Sequence, residues 1–229
     1  MRPRTLFSLT VAAIVVALVL WMVFIPVLPV QAAHTAAGPA VACGTPTPTT
    51  GMQAFTIVPA ETTASYTVHE NLIIRGLPNN VVVGKTQSVQ GNLYLTTSPV
   101  PQVAGVHLVI NLTTLKTDSA QRDTFVKNRW LDSLHYPNAD FTSTCVKGLP
   151  ATYTPGQTIT FQVIGNLTVH GVTNQETFTV RGNVTGNTIT GTASTMVYMT
   201  DFGLTVPNLA NFVVAQNNVV LAIDFTARA

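Results

Sequence analysis

From Phe55 onward, apolar and polar residues alternate in short runs, and that two-residue period limits the chain to strands with one dry face and one wet face. The cleanest run sets Ile159, Phe161 and Val163 against Thr158, Thr160 and Gln162. Val106, Leu108, Ile110 and Leu112 repeat the pattern, as do Val219, Leu221, Ile223 and Phe225. Further runs rich in Val, Ile, Thr, Phe and Tyr cover Phe55–Glu70, Val82–Thr96, Asp140–Lys147, Glu176–Val184 and Asn187–Met199, divided by Gly, Asn and Pro. Together they predict about eight antiparallel strands, with a tight hairpin at Thr185-Gly186-Asn187. Eight such strands in succession can close into an up-and-down barrel with no free edge and room for one small ligand.

The segment from Ser119 to Leu134 breaks the period. Phe125/Arg129 and Val126/Trp130 are spaced by four, Asp118 or Ser119 can cap the N-terminus, and Pro137 blocks continuation. A short amphipathic helix over 119–134 is predicted, lying across one barrel end with Phe125 or Val126 and Trp130 facing inward.

Ahead of the strands lie two other kinds of sequence. Arg2 and Arg4 precede an uncharged apolar run from Leu6 to Ile25, followed by Pro26, Pro29 and Val30-Gln31-Ala32. That order predicts an export signal over residues 1–33, cut after Ala32 or retained as a membrane anchor, and an extracytoplasmic location. Residues 34–53 are rich in Ala, Gly, Pro and Thr and read as a flexible spacer, which leaves 54–229 as the folded domain.

Charge narrows the partners. Only 9% of residues are charged and the formal net charge is +2, matched by Arg2 and Arg4, so the body is near neutral. A nucleic-acid partner is excluded by the lack of a basic stripe to displace phosphate counterions. Recruitment to anionic lipid by charge alone is disfavoured on the same ground. The two cysteines, Cys43 and Cys145, can form a disulfide in an oxidising compartment. Closing a loop of roughly 100 residues would contribute up to about 4–5 kcal/mol. The alternative is one cysteine in the spacer and one buried in a strand.

Chemistry-bearing motifs are sparse. His34, His69, His107, His135 and His170 form no His-x-His pair, and no Gly-x-Ser-x-Gly elbow, Cys-x-x-Cys pair or phosphate-cradling glycine loop is present. A metal site, a required cofactor and an enzymatic role are therefore not expected.

Two stretches carry a resemblance: Leu115 to Thr144, LKTDSAQRDTFVKNRWLDSLHYPNADFTST, and Gly165 to Thr173, GNLTVHGVT. An Arg-Asp opening a short helix, a Leu-Asp and Tyr-Pro exit, and a Gly-x-Leu-Thr-x-His-Gly hairpin resemble the YceI-like, polyisoprenoid-binding family. The likeness extends from Phe55 to Ala227. It implies a lipocalin-like antiparallel barrel that carries or sequesters an isoprenoid lipid or quinone, with no reaction. Two departures stand out: Val58 replaces the family's usual Asp, and Glu61-Thr62 stands where His-Ser is common. They imply a different head group, or none.

The expected ligand-contacting residues are Val106, Leu108, Ile110, Phe125, Trp130, Phe141, Ile159, Phe161, Val163, Leu221, Ile223 and Phe225 in the interior, with Arg122 at the mouth meeting a quinone or phosphate oxygen. Arg122 and Asp123 have a structural reading too, as fixings of the helix. His170 can act as a ligand group or satisfy its own hairpin. Periodicity alone does not separate a hollow barrel from one filled by its own side chains, so a ligand-free scaffold or adhesion domain on a stalk is the competing function. A homodimer is left open.

Overall fold

A computed structural model describes residues 47–73, 76–209 and 212–229. The predicted export signal, most of the spacer and Cys43 lie outside the described residues. Eleven strands follow in order: β1 (Gln53–Ile57), β2 (Thr63–Leu72), β3 (Leu77–Thr86), β4 (Val89–Thr96), β5 (Gln102–Asn111), β6 (Asn138–Lys147), β7 (Ile159–Val169), β8 (Val172–Thr185), β9 (Thr188–Tyr198), β10 (Asn208–Leu209) and β11 (Val213–Arg228).

The pairing closes on itself. Each strand from β4 through β9 pairs antiparallel with the next, β9 pairs with β11, and β11 pairs with β2 and, at Thr56↔Arg228 and Ile57↔Ala227, with β1. β1 and β2 are one strand interrupted at Pro59, and β3 and β4 are its equally interrupted hairpin partner. With β10 set aside as a two-residue flap on β11, the circuit is an eight-strand antiparallel barrel. This is the up-and-down barrel into which the alternating strands can close, with the lipocalin-like architecture that the family resemblance implied.

The interruptions have local causes. Pro59 has no N–H for the ladder, so the chain takes one 3-10 turn over Pro59–Glu61. Thr62, fully buried, then repairs the seam: its hydroxyl accepts from Thr226 N (3.2 Å) and donates to Thr226 O (3.4 Å). Glu61 pairs with Arg228 at 2.7 Å beside it. Both residues at the family-departing position thus join the first strand to the last, and neither lines the barrel interior. Register shifts in the β2–β3, β4–β5, β6–β7 and β11–β2 pairs mark bulges, which add the twist a closed barrel of this size needs.

Between β5 and β6 lies the helical lid. Ser119 caps α1 (Ala120–Phe125), accepting from Arg122 N at 3.4 Å, and the chain continues as a wider π turn over Val126–Trp130. The helix is shorter than the sequence predicts. It ends before Pro137 because Asp132 takes a left-handed conformation (φ 44°), one that Asp tolerates better than most residues, and its carbonyl accepts from His135 N and Tyr136 N. Leu134, predicted to end the helix, is 74% exposed in the following turn.

The β7–β8 hairpin turns on His170 (φ 53°) and Gly171 (φ 74°), two consecutive left-handed residues of the kind a two-residue hairpin demands. His170 packs on the Tyr136 ring with centroids 4.6 Å apart. Its role is the hairpin.

Cys145, on β6, is 3% exposed and its sulfur is in a disulfide. Cys43 is the only other cysteine in the chain. Among the described residues no helix is long and apolar enough to cross a membrane.

Candidate functional site

The inward residues of the eight strands do not meet at the axis. They surround a cavity of about 240 Å³, measured as space open to the centre of a water molecule, where roughly 10–15 Å³ admits one water. Its wall runs from Trp130, Leu131 and Phe202 at the helix end to Leu95, Leu149 and Tyr153 at the opposite end. Every strand of the circuit except β3 contributes, since alternate residues face inward along each one. None of the lining residues is Asp, Glu, Lys, Arg or His.

The few polar groups in the wall are already engaged or stand at its edge. Tyr153 Oη accepts from Val184 N (2.7 Å) and lies 3.2 Å from Val184 O, while Ser65 Oγ donates to Ala222 O. Trp130 turns its indole N–H out to Thr205 O at 2.8 Å and leaves its ring on the cavity. Burial pushes the Tyr66 phenol up to about 12, partly offset by the Arg122 guanidinium, so it stays protonated at physiological pH. Such a wall excludes ions and contacts hydrocarbon.

A family model, the YceI-like domain, matches residues 55–227. The chain belongs to the YceI-like family. Its fold is similar to that of BcnA from Burkholderia cenocepacia, with a TM-score of 0.58 and 17% identity over 74% of this chain and 98% of that one. It is similar also to a polyisoprenoid binding domain from Saccharophagus degradans implicated in plant cell wall breakdown (TM-score 0.60, 15% identity, 76% of this chain and 98% of that one). The YceI protein of Campylobacter jejuni superposes with a TM-score of 0.53 at 13% identity, over 64% of this chain and 84% of that one. No curated protein matches the sequence.

Within this YceI-like barrel, Val106, Leu108, Ile110, Trp130, Phe141, Ile159, Phe161, Val163, Leu221, Ile223 and Phe225 all lie in the cavity wall. Two predicted site residues do not. Phe125 is half-buried outside the cavity. Val126 and Trp130 share the inward face of the lid, and Phe125, one residue earlier, is rotated about 100° from Val126. Arg122 is likewise absent from the wall and does not stand at a mouth. Its guanidinium donates to Glu70 Oε1 on β2 (3.3 Å) and to Asp118, while Asp123 accepts from Thr117 N and Thr117 Oγ1, both at 2.8 Å. The two neighbours pin the lid in different directions.

Sequence reasoning missed much of the lid-end wall. Leu112, Leu115, Leu131, Met199, Phe202 and Leu204 are buried and seal that end around the cavity. Leu112 and Met199 end alternating runs, but Leu115, Leu131, Phe202 and Leu204 sit in turns and loops, where no strand period flags them.

Among the described residues no group of three or more His, Cys, Asp or Glu converges to hold a metal ion. One acidic pair does have a consequence. Burial, and then the nearby Asp201 carboxylate, push Glu176 above its usual value. A carboxyl whose folded value is raised destabilises the fold wherever it is ionised. Glu176→Gln is therefore expected to raise the melting temperature slightly at neutral pH, and that gain should vanish as the pH falls below 4.5, Glu's ordinary value. Parallel melts of both proteins across that range check it.

Proposed function

We propose that this protein is a carrier that shelters a long apolar tail of the polyisoprenoid kind inside its barrel. The observation that carries the reading is the wall: apolar along almost its whole length, with no Asp, Glu, Lys, Arg or His side chain, around a void where a scaffold domain would have a filled core. A tail of about 40 carbons at roughly 0.3 kcal/mol per atom would contribute on the order of 12 kcal/mol, near nanomolar affinity, without any strong polar contact. The polyisoprenoid binding named for the Saccharophagus degradans relative supports the choice of tail. The wall holds the Ser65 and Thr97 hydroxyls but no His, Asp, Glu or Lys to activate them, which favours carriage over catalysis.

Export fits the same reading. The disulfide at Cys145 is a bond that persists in oxidising compartments, and Arg2 and Arg4 before the apolar run supply the address. Outside the cytoplasm, an isoprenoid or quinone moving between membranes needs cover from water.

Full-length protein purified from a host that makes isoprenoid quinones should yield, on organic extraction and mass spectrometry, one long-chain isoprenoid lipid in near-stoichiometric amount. Protein that is folded, carries no lipid and takes up no prenyl probe from detergent would overturn the carrier reading.

A further inference from the structure

Strands β5 and β6 are paired over only part of their length. Their ladder runs from Asn111↔Asn138 to His107↔Thr142, and one step further the Ser143 hydroxyl stands in for a backbone partner, accepting from Val106 N at 3.0 Å. Beyond that point a left-handed Gly105 (φ 55°) bulges β5, and among the described residues Gln102–Gly105 have no ladder partner in Thr144–Lys147. Val103 and Val106 of β5 and Phe141 of β6, beside this split, all belong to the cavity wall. The split therefore leads from the outer surface toward the cavity.

Two side chains next to it point outward and are buried all the same. Ala104 lies opposite Tyr94, one residue from the inward pair Leu95↔Val103, and is 2% exposed. Cys145 lies opposite Ile164, one residue from Val146↔Val163, where Val163 faces the cavity, and is 3% exposed. Part of the cover is Pro48, which lies against Gly105, where a Cβ would come within 3.1 Å of Pro48 Cγ. The rest follows from the Cys145 disulfide, for which Cys43 is the only other cysteine in the chain. Residues 43–48, fully extended, span at most about 18 Å, and neighbouring strands lie about 4.8 Å apart. The segment thus has the reach to run from Gly105 to Cys145.

Resting on the carrier reading above, we infer that residues 43–48 form a strap across the β5–β6 split, fastened by a Cys43–Cys145 bond, and that this bond sets how fast the bound tail leaves. A dithiol reductant would unfasten it. One thiolate of the reagent attacks a sulfur of the bond, forming a mixed disulfide and releasing the other cysteine; its second thiol then displaces the remaining cysteine. Two electrons and two protons pass from the dithiol to the protein, and the reagent leaves as a cyclic disulfide. Cys145 is then an outward-facing thiol beneath a segment no longer bonded to it.

The test loads the oxidised full-length protein with a polyprenol carrying a terminal fluorophore and times its transfer to phosphatidylcholine vesicles, before and after dithiothreitol, and in Cys43→Ser. Reduction should speed transfer at least about tenfold, and Cys43→Ser should transfer at the faster rate with or without the reagent. In folded Cys43→Ser, Cys145 should also react with a maleimide. Equal transfer rates in oxidised and reduced protein would overturn the strap and leave the carrier reading standing. Faster transfer that comes only with loss of the β-sheet circular dichroism would make the bond a staple of the fold and overturn its role in release. A Cys145 that stays unreactive in folded Cys43→Ser would mean that the segment remains seated without the bond, which also overturns the inference. If no form takes up the probe, the carrier reading falls and takes the inference with it.

Discussion

Arg122→Ala is expected to cost about 3 kcal/mol of stability and to leave tail binding intact once the protein is folded. Glu70 has a side chain only 10% exposed, and Arg122, 22% exposed, is its one cationic partner among the described residues; Asn80 Nδ2 supplies a neutral bond at 3.1 Å. Removing the guanidinium leaves a carboxylate in a low-dielectric corner with a single neutral donor. Loss of one member of a buried pair typically costs about 3–5 kcal/mol, and the residual exposure of Arg122 places this case at the lower end. The change also frees the start of the lid, since Arg122 ties Asp118 and β2 together. Chemical denaturation gives the stability, and a prenyl-probe titration well below the new midpoint gives the binding. A variant as stable as the parent but with weakened binding would return Arg122 to the ligand. Glu70→Gln with Arg122→Met should recover much of the loss, because both ends of the pair are then neutral.

Ala193→Phe should abolish tail binding while costing little stability. Ala193 lies on β9 between Val180 and Ile223 in the strand ladder, and all three line the cavity. A phenyl ring there projects into open space and divides the channel. In a filled core the same ring would force neighbours off their rotamers at about 1–3 kcal/mol or more. In a hollow barrel it gains apolar contact, so the melt should move little or rise. Co-purifying lipid should fall at least about tenfold, equivalent to 1.4 kcal/mol or more of lost binding. A large drop in melting temperature with no lipid in either protein would mean that the interior is a core, and the scaffold reading would take over.

The strands were legible because a half-buried strand imposes its own signature. Inward residues must be apolar and outward ones must face water, so Ile159, Phe161 and Val163 announce a wall before any partner strand is known. The lid was legible as a helix, but its phase and its end were not. Spacing left either Phe125 or Val126 facing inward with Trp130; the structure buries Val126, and a left-handed Asp132 sets where the helix stops. Arg122 was expected at a mouth because a cation opening a lid invites an oxyanion. Its partner, Glu70, is 52 residues away in sequence, and nothing local to Arg122 encodes that meeting.

By itself, then, the sequence determined the class: period-two apolar runs in eight segments, punctuated by Gly, Asn and Pro, have no stable arrangement that leaves their dry faces in water. It also determined the neutrality of the body and the family. Tertiary structure alone decided that the barrel is hollow, that buried side chains from turns and loops pack at the lid end, and that Glu61 and Thr62 tie the closing seam. Those outcomes depend on volumes and on contacts between residues distant in the chain. A filled and an empty interior share one alternation, because the pattern records which way a side chain points and not whether anything meets it there.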